Sequence, residues 1–163
     1  MSAYDASQWT DLFVAAAGAS AALAGLVFVA VSINIERILA LARVPDRALQ
    51  ALLQLLAVVV FSLLMLAPGQ SHLALGIELV VLGVPLTIGS GWLIGRALGA
   101  HGRAFALDPR RLLVAAGTVP FVVGGVSLIA EGGGGIYWIL GGAIAALIAG
   151  VMNAWVLLVE ILR

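Results

Sequence analysis

Five long apolar stretches alternate with short polar or glycine-rich connections, at about residues 12–33, 48–67, 73–95, 112–130 and 136–159. The first, Leu12 to Ile33, has about 22 residues and would rise about 33 Å as a helix, enough for a bilayer's hydrocarbon core. Within it Gly18, Ala21, Gly25, Phe28 and Ser32 recur at helical spacing, a mostly small-residue stripe that reads as a helix–helix seam. Trp9 sits where an interfacial aromatic would anchor the span. The second stretch stops at the Pro68-Gly69 turn signal and carries Gln50 and Gln54 one turn apart, with Ala57 and Phe61 continuing their face.

The third stretch has two distinct faces. Gly76, Gly83, Thr87 and Ser90 share one sector, and Glu78, Pro85, Gly89 and Trp92 lie nearly opposite. Both faces call for protein or water rather than bare lipid, and Pro85 should kink the helix near mid-membrane. Asp108-Pro109 is a start signal for the fourth stretch, whose Gly117, Pro120, Gly124, Ser127 and Glu131 fall on one side; Pro120 is the second expected kink. Glu131 opens a run of four glycines expected to form a tight, flexible turn. The fifth stretch begins with Tyr137 and Trp138 at an interface, and Gly142, Ala146, Ala149, Asn153 and Glu160 form its seam.

Composition points the same way. With 63% of its residues apolar and only 10% charged, the chain has too little polar surface for a water-soluble domain of 163 residues. The absence of cysteine removes disulfides, thiolate metal sites and a cysteine nucleophile. Formal net charge is zero, so attraction to nucleic acid is not implied. His72 and His101 fall in separate connections, which argues against a shared metal site. Ala15 to Ala17 could mimic a signal-peptide cleavage site, but Asp5 and Asp11 precede the first span with no positive residue, so a retained span is expected.

The charges orient the bundle. All eight positive side chains are arginines: Arg37, Arg43 and Arg47 follow the first span, Arg96, Arg103, Arg110 and Arg111 separate the third from the fourth, and Arg163 closes the chain. The N-terminus and the other two connections carry none, as the positive-inside rule requires of a five-span protein. The expectation is an all-α, polytopic membrane protein, residues 1–163 as one five-helix domain, with the N-terminus outside and the C-terminus inside a bacterial cytoplasmic membrane. No internal duplication of the kind found in secondary transporters is evident.

Candidate chemistry is sparse. Glu78 lies about 7 Å along the axis inside the third helix, where a carboxylate must be protonated, hydrated or paired. It reads either as an outer ion or proton site, shared with Glu131 and repeated as a carboxylate ring in an oligomer, or as a boundary residue bonded to His72, Tyr137 or a backbone donor. Asn34, Gln50, Gln54 and Asn153 form a candidate inner polar cluster; capping and helix stitching explain them as well. Glu36 and Glu160 sit at helix ends. Arg37, Arg43, Arg47, Arg96, Arg103, Arg110 and Arg111 serve as topology determinants and lipid-headgroup contacts.

No HExxH, GxSxG or aspartate pair lies inside a span, so no enzyme, cofactor or metal site is expected. The leading functional expectation is a small homo-oligomeric, channel-like protein passing cations or protons past outer carboxylates. The alternatives are a non-catalytic scaffold or regulatory subunit of a larger membrane complex, and a small secondary transporter. Membrane lipid, further copies of the chain and another membrane protein are the expected partners.

Overall fold

A computed structural model describes residues 3–41, 44–98 and 109–162. After a 3-10 turn at Ala6–Trp9 come six helices: α1 (Thr10–Ile33), α2 (Ile35–Ala40), α3 (Val44–Leu66), α4 (His72–Leu98), α5 (Pro109–Ile129) and α6 (Ile136–Leu162). Five of these are long and apolar enough to cross a membrane, all but the six-residue α2. The expected spans are found within a few residues, and α4 and α5 continue as helices through Pro85 and Pro120.

Local chemistry sets the helix ends. Asp5 caps the 3-10 turn, its Oδ1 accepting from the Ser7 amide at 3.1 Å and the Ser7 hydroxyl at 2.6 Å. Ser71 Oγ accepts from the Ala74 amide at 3.2 Å, satisfying one of the donors that the first turn of α4 leaves open. Pro109 occupies the first position of α5, where its missing N–H is no loss; Asp108 lies outside the described residues. Gly69, with φ +73°, turns the chain between α3 and α4.

α3, α4, α5 and α6 close into a four-helix ring in which each packs on the next and α6 returns to α3. α1 lies outside the ring, packed along α3 and barely touching α6. One end of the bundle carries the Pro68 turn and the glycine turn, and the other carries Arg37, Arg47, Arg96 and Arg111. We name them the glycine-turn end and the arginine end.

The main core fills the glycine-turn half. Phe61 of α3 stacks on Phe121 of α5, ring centroids 4.3 Å apart, with Leu79, Leu128, Ile136 and Ile139 buried around them. Phe13 of α1 and Trp9 before it are buried in the same cluster, so the first segment is part of the folded protein. Trp9 therefore does not anchor at an interface as expected: it is 7% exposed and meets Tyr137 edge to face at 4.9 Å. Lipid is as apolar as leucine, so burial drives such a bundle less than close van der Waals packing does. The glycines and alanines supply it: a Cβ on Gly117 would fall 2.9 Å from the Ala146 Cα, and one on Gly150 2.8 Å from the Leu55 side chain.

The seams expected on four of the five spans face protein. Gln50, Gln54, Ala57 and Phe61 are buried, as are Gly76, Gly83 and Ser90 on α4, Gly117, Gly124 and Ser127 on α5, and Gly142, Ala146 and Ala149 on α6. The stripe on α1 does not: Gly18, Ala21, Gly25, Phe28 and Ser32 are exposed, and a Cβ on Gly18 or Gly25 would meet nothing within 4 Å. α1 instead buries Phe13, Ser20, Ala24 and Val27, because Ser20 turns its hydroxyl to the Leu55 carbonyl, 2.7 Å away. The second face of α4 is also uncovered, with Pro85 and Trp92 exposed.

Candidate functional site

The candidate residues fall at the glycine-turn end, inside the four-helix ring and at the arginine end. At the glycine-turn end, Glu78 is half-buried on the second turn of α4, and its Oε2 accepts from Gln70 Nε2 at 2.9 Å. The contact is to a neutral amide of the α3–α4 turn, which does not compensate the carboxylate's charge. Glu131 is placed differently. It follows α5 in a Schellman ending, in which the Gly132 amide donates to the Ser127 carbonyl at 3.1 Å and the Glu131 amide to the Leu128 carbonyl at 3.4 Å. That ending needs a left-handed residue where glycine is usual, and Glu131 adopts it at φ +49°. Its side chain is exposed on the glycine turn, whereas Glu78 is held by the other turn.

The glycine turn is tied at nearly every residue rather than loose. Ser127 Oγ accepts from the Gly135 amide at 2.8 Å and bonds the Gly132 carbonyl, while Trp138 Nε1 donates to the Gly133 carbonyl at 2.7 Å. The N-terminal strap closes over it: the Ile136 amide donates to the Ala3 carbonyl at 2.8 Å and the Gly134 amide to the Tyr4 hydroxyl at 3.3 Å. Asp5, on this strap, faces a cavity of about 340 Å³ that Ser7, Thr10, Gln70 and His72 line together with Met65, Leu66 and Leu75. The Ser7 hydroxyl and amide hold the Asp5 carboxyl below its usual range.

In the arginine-side half, the amides sit inside the four-helix ring. Asn153 Nδ2 of α6 donates to Gln54 Oε1 of α3 at 3.2 Å, and Gln50 Nε2 donates to Ser90 Oγ of α4 at 3.2 Å. Gln50 and Gln54 are 4% and 0% exposed. Gln50 Oε1 and Gln54 Nε2, an acceptor and a donor one turn apart, are buried without a protein partner. Gln54 Nε2 is 3.2 Å from where a Cβ on Gly117 would stand, so that glycine makes room for the amide. Ser90 enters this cluster from the glycine sector of α4, and Thr118 lies buried nearby on α5 with its hydroxyl on the Val114 carbonyl. Ser90 as a partner for Gln50 was signalled only by its place in that sector.

Asn34 is not part of the cluster. Its Nδ2 bonds the Ala30 carbonyl of its own helix at 2.9 Å, closing α1 before α2, and Glu36 and Arg37 are exposed on α2. Arg96 lies over the Trp92 ring at 4.7 Å, with its Nε 3.9 Å from Asp46 Oδ2, and Arg47 also has a protein partner. Arg111, in the first turn of α5, is half-buried beside Gly95 and also has a protein partner. Arg43, Arg103, Arg163 and His101 lie outside the described residues, as do the side chains of Arg110 and Glu160. Among the described residues, no three His, Asp or Glu side chains converge on one point.

No family model, curated protein or solved structure matches the chain.

Proposed function

We propose that the chain is a non-catalytic, multi-pass protein of a bacterial cytoplasmic membrane, with its N-terminus outside and its arginine end inside. It works by associating in the membrane plane, with further copies of itself or with another membrane protein, as a scaffold or regulatory subunit. The observation that carries this proposal is the filled interior of the ring: the Phe61–Phe121 stack and its aliphatic surround separate the outer carboxylates from the inner amides. A solute path through one protomer would have to displace that core.

A second reading, a channel-like homo-oligomer passing cations or protons, is favoured by the two open amide atoms of Gln50 and Gln54, which offer polar contacts at membrane depth. Flux separates the two, and cross-linking tests the association that both require. The chain lacks cysteine, so a single cysteine at the exposed Val29 gives one reactive site. A scaffold gives a discrete cross-linked species from that variant in native membranes and no ion flux from purified protein in liposomes. Selective flux that changes with Glu78→Gln or Gln54→Leu would overturn the scaffold in favour of the channel; saturable exchange against a gradient would favour a transporter.

A further inference from the structure

We propose that the wedge between α4 and α5 binds one anionic phospholipid, its headgroup phosphate on Arg111 and part of an acyl chain in the gap between the helices. The two helices run antiparallel, and Gly76 and Gly83 of α4 face α5 directly. Near the glycine-turn end their backbones touch: a Cβ on Gly76 would lie 2.7 Å from the Gly125 carbonyl oxygen, and one on Gly125 would lie 2.8 Å from that of Gly76. About two turns along α4, a Cβ on Gly83 would still meet Val122 at 2.9 Å. About two turns further, a Cβ on Gly91 would meet nothing within 4 Å, and one on Gly95 would meet only the Arg111 guanidinium, at 3.7 Å.

Gly91 and Gly95 stand at the rim of this contact, and beside them, toward the arginine end, lies an open cavity of about 200 Å³ between the two helices. Gly91, Ile94 and Val114 form its walls, Thr87 and Thr118 its narrow end, and Arg111 its mouth. Both threonine hydroxyls are committed to their own helices, Thr87 to the Gly83 carbonyl at 2.8 Å and Thr118 to the Val114 carbonyl at 3.1 Å. The slot thus presents mainly aliphatic surface, with a positive charge at its arginine end. A guanidinium has five N–H donors and can keep a protein contact while it grips a phosphate. A free phosphate would make no use of the slot, and a zwitterionic lipid would gain less from the charge. The site is independent of whether the protein conducts or associates.

The test is native mass spectrometry of the protein released from vesicles of equal parts phosphatidylglycerol and phosphatidylcholine. One phosphatidylglycerol should remain per wild-type chain. Arg111→Gln should lower that occupancy about tenfold, the worth of a charge-assisted contact, and Arg111→Lys by less. Gly91→Leu adds bulk to the slot at a position where a Cβ meets nothing within 4 Å, and should lower occupancy by a similar factor with Arg111 intact. Arg37→Gln removes a surface charge on the exposed face of α2, away from the slot, and should leave the retained lipid unchanged. Equal retention of both lipids, or equal loss in the Arg111→Gln and Arg37→Gln proteins, overturns the site. Retention in Gly91→Leu alongside loss in Arg111→Gln overturns the acyl-chain slot. Melting of each variant before lipid is added shows whether a loss reflects unfolding.

Discussion

α1 and α3 are almost equally apolar, yet half of the spanning window of α3 is buried and only 22% of that of α1. α3 is the hub of the bundle, touching α1, α4 and α6, while α1 rests on one side of α3 with most of its surface outward. Leu26, Phe28 and Ile33 of α1 are 67%, 62% and 78% exposed, which lipid tolerates and water would not. The difference teaches that apolarity places a helix in the membrane but does not choose its packing face. In α3 the choice is made by two amides that must find partners. In α1 a single hydroxyl makes it, and two glycines remain unused by the protomer.

Backbone contact offers the sharpest way to break this contrast. Gly125→Ala puts a methyl group against the Gly76 carbonyl oxygen and the Leu79 and Val80 side chains, so the ring should lose about 3 kcal/mol or more. Gly25→Ala in α1 should stay within about 0.5 kcal/mol of wild type. Reversible unfolding in mixed detergent micelles measures both, and equal losses would remove the distinction between hub and rim. A smaller effect is expected inside the hub itself. A double-mutant cycle with Gln54→Ala and Asn153→Ala should show coupling of about 1 kcal/mol, and a value near zero would mean that the amide contact does not hold α3 to α6. Smaller again is Ser20→Ala, which removes the bond to the Leu55 carbonyl and should cost about 0.6 kcal/mol. Hydrogen exchange should then quicken in α1 and stay unchanged in α4 and α5; a uniform change would make α1 an integral member of the ring.

The spans were legible because length and apolarity bound them, with Pro68-Gly69, Pro109 and the glycine run as punctuation. The faces of α3, α5 and α6 were legible for another reason. Amides and small residues coincide there in one sector, and both requirements point to protein. On α1 only small size marked a stripe, and small size permits close approach without demanding it. Short α2 was hidden because its one buried anchor, Ile38, gains meaning only against Val44 and Ala48. That the carboxylates of Glu78 and Glu131 have different settings was hidden as well. It depends on a left-handed backbone at Glu131 and on Gln70 reaching forward eight residues, and neither leaves a periodic trace. Trp9 has the composition of a membrane anchor, and only its contact with Tyr137, far along the chain, shows that it belongs to the core.

That long-range closure also bears on biosynthesis. The Ala3 carbonyl and the Tyr4 hydroxyl receive their hydrogen bonds from Ile136 and Gly134, which are made only after four spans have been synthesised. The strap before α1 is thus among the last segments to reach its final position. Until α6 is threaded, nascent chains must hold Trp9 and the head of α1 without the surface they finally pack against. A chain stopped before the glycine turn has four of its five spans and no seal.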